Sequence, residues 1–354
     1  MTYMNRPERG CRKAAALWAC VMVFITSLAS CSIIDDDLSD CASDYQSVYE
    51  LQLITNMTTE LQTQLATEVN VSNALRNHLS GIFTDYALDV DLSFYSTEGD
   101  SIRLHHDKHE MKANQATYTL TLPAHKYQHL ALANIVNNKQ IGLIGDNYCH
   151  TSALRQITTR AATADTVDSH TTGLFTARHA MDIVGNEDQT FHVRLYMSNC
   201  AVAFVLDPRG QAYQKVSVCT TGFATQFSIA DSCYTFDSID PIVRADEINT
   251  GDNHLCFATV NFPSRETSTR TIIDTDEPFI SEPDENTIWE IRVYVTNMDG
   301  TITETRLGVH EPLRGGQLKI VKALMNNDGS VHTSDPEVST SIKLDWKPGL
   351  NIET

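Results

Sequence analysis

Residues 191–207 read FHVRLYMSNCAVAFVLD. Phe191, Val193, Leu195 and Met197 alternate with His192, Arg194, Tyr196 and Ser198, and a second apolar run follows at 202–207. Strict alternation is the period of a β-strand with one buried and one wet face. The same period recurs on both sides of this stretch. Leu88, Val90, Leu92 and Phe94 alternate with Asp89, Asp91, Ser93 and Tyr95, and Tyr118, Leu120 and Leu122 with Thr119 and Thr121. Further strands are expected at 48–55, 214–220, 288–296, 317–324 and 341–346. In the last of these, Ile342, Leu344 and Trp346 share one face, with Lys343 and Asp345 on the other. Many short strands separated by turn residues predict an all-β protein built of sandwiches.

One segment breaks the pattern. Leu61, Leu65, Leu75, Leu79, Ile82 and Phe83 recur near helical spacing, with Thr58 or Thr59 as N-cap. They predict a short helical insertion, one or two amphipathic helices lying on the first sheet. Residues 157–172 (ITTRAATADTVDSHTT) are small, polar and aperiodic, and read as a loop or linker. A chain of 354 residues has room for two domains at about 150 residues each. The boundary is expected between 172 and 190, dividing the chain into 45–180 and 181–354.

The chain carries 26 Lys and Arg against 45 Asp and Glu, a net charge of −19. Four of those bases (Arg6, Arg9, Arg12, Lys13) and one acid (Glu8) precede Cys31, so 22 bases and 44 acids follow it, net −22. Such a surface repels phosphate backbones, which argues against nucleic acid as a partner. The positive N-terminus leads into an apolar run at 14–28 (AAALWACVMVFITSL). That run is shorter than the roughly 20 residues a membrane helix needs, so residues 1–30 read as a signal peptide. It ends in Leu28-Ala29-Ser30-Cys31, which resembles a bacterial lipobox with Cys31 as the lipidated residue. Several acyl chains on Cys31 would anchor the protein stably, where one would bind only marginally. Residues 31–44 then form an acidic linker, of reach about 45 Å at most. Its cluster Asp35, Asp36 and Asp37 resembles a surface-export signal of Bacteroidetes lipoproteins.

Six cysteines follow Cys31 (Cys41, Cys149, Cys200, Cys219, Cys233, Cys256). An even number in an exported chain permits three disulfides in fifteen arrangements, while buried free thiols are the alternative. Motifs of catalysis or cofactor binding do not stand out. There is no G-x-S-x-G, H-E-x-x-H, G-x-x-x-x-G-K or G-x-G-x-x-G. His105, His106 and His109 cluster in HHDKH, but an extended segment would send His105 and His106 to opposite faces. This polar stretch between two strands is expected to be a solvated hairpin. No catalytic residue, metal ligand or cofactor site is assigned.

Several segments in order resemble the FimB/Mfa-type fimbrial anchor family of Bacteroidales lipoproteins. After the lipobox comes DLSDC (37–41), then IFTDYALDVDLSFY (82–95) and YTLTLPAHKYQHLALANI (118–135). GLFTAR (173–178), LYMSNCAVAFVLD (195–207), TGFATQFSIADSCYTF (221–236), RGGQLKIVK (314–322) and IKLDWKPG (342–349) complete the match. His125 stands where that family usually has a small residue. The resemblance implies two tandem transthyretin-like β-sandwich domains. It further implies a non-catalytic, lipid-anchored accessory subunit of a surface fimbrium, without a cofactor. Such a subunit sits at the outer membrane, exposed on the cell surface, and partners fimbrial stalk or accessory subunits. A tip adhesin of the same system and a free-standing glycan- or host-ligand-binding lipoprotein are the alternative readings.

Subunits of this class join by strand addition, in which a donated strand fills an open groove. In stalk subunits a protease that cuts after Arg removes the first strand and opens that groove. Here the first Lys or Arg after Cys31 is Arg76, so the first strand is expected to be kept. Ile342, Leu344 and Trp346 form either an intramolecular strand or part of a subunit contact. The triplets Asp100-Ser101-Ile102, Asp165-Thr166-Val167 and Asp237-Ser238-Ile239 resemble O-glycosylation sites of exported proteins in this phylum. Thr166, in the polar linker, is the preferred acceptor.

Overall fold

The computed structural model describes residues 43–51, 57–84, 87–99, 102–112, 117–144, 153–156, 166–185, 189–266, 279–334 and 340–343. Strands carry most of the structure. The chain opens with β1 (Ser43–Leu51), helices α1 (Met57–Gln64) and α2 (Val69–Ile82), β2 (Asp89–Ser96) and β3 (Arg103–Glu110). It continues through β4 (Thr117–Leu122), β5 (Lys126–Ala133), β6 (Ile141–Ile144), β7 (Ala153–Gln156), β8 (Thr166–Asp168), β9 (Phe175–Asp182) and β10 (Thr190–Met197). The second half begins with β11 (Cys200–Asp207), β12 (Tyr213–Thr221), β13 (Gln226–Ser228), β14 (Cys233–Thr235), β15 (Ile242–Arg244) and β16 (Asp246–Ile248). It ends with β17 (Leu255–Asn261), β18 (Ile280–Ser281), β19 (Trp289–Asn297), β20 (Ile302–Val309), β21 (Gln317–Met325), β22 (Val331–Thr333) and β23 (Thr340–Lys343).

The first-half strands run in the order β3-β2-β5-β9-β10-β1-β4. Here β10 turns a corner. Its residues 190–195 pair with β1, while Tyr196 and Met197 pair with Thr176 and Phe175 of β9. A strand shared in this way folds one continuous sheet into two packed leaves. The second half sets β16-β17-β11-β21-β22, with β23 also on β21, against β18-β20-β19-β12-β15-β8. A small sheet, β14-β13-β7-β6, joins residues from both halves. The fold is all-β with a helical insertion, as the alternation implies.

The sequence CAVAFVL explains why β11 is central. Cys200, Val202, Phe204 and Leu206 enter the core between the two facing sheets. Ala201, Ala203 and Val205 point the other way, into a second core. Phe257 on β17 and Val321 on β21 share the first core, while Ala258 and Leu318 share the second. A strand buried on both faces reads as a continuous apolar run. The facing pair Ala203 and Ala258 presents only methyl groups, which leaves room for side chains packing on that face.

That second core is completed by the helices. Leu61, Leu65, Val71, Leu75 and Leu79 are fully buried in it. The helices share this core with the first sheet, through Val90, Leu92 and Phe94 of β2 and Val193 and Leu195 of β10, and they pack on the second half as well, α2 on β16 and β17 and α1 on β23. An amphipathic stripe demands a buried face but does not say which sheet supplies it. Glu68 and Lys322 of β21 form an ion pair at 3.1 Å across this contact. Burial raises the Glu68 carboxyl, but hydrogen bonds from Thr67 and Lys322 and the Lys322 charge outweigh it and lower it overall. At the other end of α2, Ile82 O accepts a 2.9 Å bond from Gly173 N, beside Phe83. A Cβ at Gly173 would lie 2.6 Å from Phe83 Cδ1.

Other differences are local. The first strand begins at Ser43, ahead of the expected 48, and is described as far as Leu51; 52–55 lie outside the described residues. The stretch holding HHDKH is, as expected, part of a hairpin: it lies in β3, paired along its length with β2, and every residue of it is half-buried or exposed. Within 157–172, Thr166–Asp168 forms β8, parallel to β15. Cys200, Cys219, Cys233 and Cys256 are free thiols. Cys200 and Cys256 belong to the cores on opposite faces of one sheet, so neither can reach the other. Cys41 and Cys149 lie outside the described residues.

Candidate functional site

Strand edges are where a sandwich of this kind can meet another chain, because an edge carries unpaired N–H and C=O groups. The first strand offers no such edge. β1 pairs parallel with β10, Gln46 to Leu51 opposite Thr190 to Leu195, and antiparallel with β4, Ser43 to Val48 opposite Leu122 to Thr117. Both hydrogen-bonding sides of β1 are occupied.

The other sheet ends differ in character. β3 is an edge strand, RLHHDKHE, whose charges discourage further pairing. His106 and Lys108 reach back to the buried Asp91 of β2, at 2.8 and 3.2 Å. The histidines are thus parts of an edge strand and its ion pair, and among the described residues no group of three or more His, Cys, Asp or Glu could hold a metal ion.

β20 is a different kind of edge. Its inner side pairs with β19 from Ile302 to Val309. Its outer side pairs with β18 only at Val309 and Gly308. β18 stops there because Pro283 follows it and turns the chain toward Trp289, passing close over Gly308. A Cβ at Gly308 would lie 2.9 Å from Pro283 Cα and 2.6 Å from Thr287 Oγ1. The outer side of residues 302–307 pairs with no strand among the described residues. A cleft of about 690 Å³ opens alongside, between β20 and β18 of one sheet and β22 of the other. Ile280, Leu307 and Val331 give it an apolar wall, and Glu282, Glu304 and His332 line it too. Val331 N donates to Thr305 Oγ1 at 3.0 Å, and Thr303 Oγ1 donates to Asp328 O at 2.8 Å. These bonds tie β20 to the β21–β22 turn. The sequence reading passes over 302–309 because Thr303 and Thr305, and not aliphatic residues, carry half of its inward face. The signal that was available is Pro283, which limits β18 to two residues.

Two buried histidines are neutral. His129 is stacked on Phe94, centroids 4.1 Å apart, with Nδ1 3.1 Å from Ser93 O. Burial pushes it down to about 3 against the raising effect of the Ser93 hydrogen bond, with the His179 charge adding a smaller lowering. His170 is pushed down to about 3 by burial. Its Nδ1 accepts from Asn199 Nδ2 at 2.8 Å, because Asn199 Oδ1 is taken by Leu174 N at 2.6 Å.

Of the residues singled out in the sequence, Ile342 lies in β23 opposite Leu318 of β21. Thr166 opens β8, half-buried, opposite Ile242. Cys31, Leu28, Ala29, Ser30, Asp35, Asp36, Asp37, Leu344 and Trp346 lie outside the described residues. No helix among the described residues is long and apolar enough to cross a membrane.

No family model and no curated protein matches the chain. Similar solved structures include a candidate adhesin from Bacteroides ovatus, at 14% identity over 77% of this chain and 85% of that one, TM-score 0.48. The fimbrial anchor protein Mfa2 from Porphyromonas gingivalis matches at 13% identity over 85% and 96%, TM-score 0.43. The tip fimbrial protein Mfa3 from the same organism, truncated at its C-terminus, matches at 9% identity over 86% and 100%, TM-score 0.41.

Proposed function

We propose that this chain is a non-catalytic, lipid-anchored accessory subunit of a surface fimbrium, acting as its cell-proximal anchor. The observation that carries the reading is the seating of β1 between β10 and β4. A subunit that keeps this strand has a closed first groove, so it can end a filament but cannot extend it through that groove. The sequence supports retention. No Lys or Arg lies between Cys31 and Arg76, and Arg76 is half-buried within α2, beyond β1. In this reading residues 1–30 are removed, Cys31 receives lipid after the Leu28-Ala29-Ser30 lipobox, and Asp35 to Asp37 direct export to the outer face of the outer membrane. In this reading the body divides into two sandwich domains after β10 and not at 180, because β10 pairs with β1 and β9 of the first sheet, and β7 pairs to β13 and β8 to β15 across the division.

Immunogold electron microscopy on intact cells tests the proposal. Gold confined to filament bases is expected. Gold at distal tips would make the same fold an adhesin. Diffuse surface gold, with the fimbrial genes expressed and no association with filaments, would refute a fimbrial role.

A further inference from the structure

The side of β20 that no described strand covers presents a specific set of backbone groups. His310 N donates to Phe279 O toward β18, and Ile288 N donates to Val309 O from the β19 side. The N–H and C=O of one strand residue point to the same side, and that side alternates along the strand. Ile302, Glu304 and Arg306 therefore aim their N–H and C=O groups outward, along the stretch that β18 leaves uncovered. Only an extended backbone matches donors and acceptors repeating at every second residue.

The other exposed edges are built to discourage such pairing. β3 is charged, and β8, β16 and β22 have three residues each. β4 is as long as the bare stretch of β20, but the 690 Å³ cleft lies against β20. β20 reads ITETRLGV, with no Lys, Pro or bulge to blunt it. A paired strand would also lay alternate side chains into the cleft against Ile280, Leu307 and Val331. The rim selects for charge. Glu282 and Glu304 line it, while the Arg306 guanidinium is held by both oxygens of Glu290, at 2.7 and 2.8 Å.

We infer that the outer edge of β20 is a strand-accepting site of the second sandwich. Its occupant is an extended segment of another subunit, with uncharged β-forming residues in alternation and basic residues at its flanks. This inference rests on the fimbrial reading for the identity of the partner, but the site itself stands on the geometry of β20.

The test uses the full mature chain and the peptide KVTVTVK. Hydrogen exchange and fluorescence anisotropy are measured together. Saturable binding is expected, with slowed exchange at the amides of Ile302, Glu304 and Arg306. Glu304→Pro removes one outward donor without touching the ladder to β19, and should weaken binding by about tenfold, the worth of one strong hydrogen bond. Glu304→Ala keeps the donor and should weaken binding by only a few-fold, through the lost charge. Unchanged exchange at millimolar peptide, or equal binding by Glu304→Pro and Glu304→Ala, would overturn the inference. So would slow exchange at these amides in the free chain, which would mean that the chain covers its own edge. Slowing at 117–122 would move the contact to β4, and slowing that grows with chain concentration alone would make the occupant a second copy. Both results overturn the assignment. Immunogold labelling fails independently of these measurements, so an error about the fimbrium and an error about β20 are distinguishable.

Discussion

Lowering the pH from 7.5 to 5.0 should destabilise the chain by about 4 kcal/mol through two histidines. His129 and His170 are fully buried, and both are held down to about 3 in the folded chain. Unfolded, each returns to about 6.5. The unfolded chain therefore binds more protons between these values, and stability is lost as pH falls below 6.5. At pH 5.0 each histidine sits about 1.5 units below its unfolded value, worth about 2 kcal/mol apiece. The loss continues until the folded values are reached near pH 3. Geometry says where the charge would land. A proton on His129 would sit against the face of Phe94, and its neighbour across β9 is His179. A proton on His170 Nδ1 would face the amide hydrogens of Asn199. Urea denaturation at pH 7.5, 6.0 and 5.0 measures the loss. The His129→Phe, His170→Gln double variant should be less stable at pH 7.5 but should lose most of the pH slope. An unchanged slope in the double variant, or no slope in the parent between pH 7.5 and 5.0, would refute the assignment to these rings.

Two packing predictions accompany it. Leu79→Ala empties a fully buried position between α2 and the β11 sheet and should cost about 2–5 kcal/mol in equilibrium denaturation. A cost below 1 kcal/mol would mean that the helices are not part of the cooperative core. Gly222 has φ +97°, and a Cβ there would lie 2.7 Å from Trp289 Cα and 2.8 Å from Ile288 O. Gly222→Ala should lower stability by roughly 1–3 kcal/mol for the strained backbone alone, and should perturb the near-ultraviolet signal of Trp289. A native signal and an unchanged melting temperature would count against that close approach.

The strands of the core were legible because their apolar residues keep the period of two. Val193, Leu195, Leu92 and Val218 are all buried where alternation puts them. What sequence could not supply was the partner of each surface. The Leu75 and Leu79 stripe shows that α2 hides a face, but not that the core it enters takes residues from both halves, Leu92 and Val193 as well as Val205 and Ala258. β3 escaped notice because an edge strand needs no apolar residues of its own. Its place depends on hydrogen bonds to β2 and on Asp91, a buried carboxylate answered by His106 and Lys108. The first strand shifted for a related reason. Residues 51–54, LQLI, look more strand-like locally than SDYQ does, but pairing to β4 places the start of the strand at Ser43. Cysteine parity permits pairs but does not see faces, and Cys200 and Cys256 sit in cores on opposite faces of one sheet.

The two halves share a plan that their sequences do not display. Each begins on a strand that pairs parallel to a late strand of its own half, β1 with β10 and β11 with β21. Each of these strands also has an antiparallel neighbour, β4 or β17. Equal topology does not make them equally removable. Every residue of β11 from Cys200 to Leu206 is buried, and its two faces complete two different cores. Withdrawing β11 would open both at once, exposing Val202, Phe204 and Leu206 on one side and the helix contact on the other. At about 1.5–3 kcal/mol for each large side chain, Val202, Phe204, Val205 and Leu206 together come to roughly 6–12 kcal/mol, comparable to the 5–15 kcal/mol that holds a typical domain together. The backbone of β1, for its part, is held by β10 on one side and β4 on the other. In this chain no Lys or Arg lies between Cys31 and Arg76, so no cut after a basic residue just past β1 can release it. On the proposed reading, contact with a neighbour must use an edge that is already bare, and the outward groups of Ile302, Glu304 and Arg306 beside the cleft provide one.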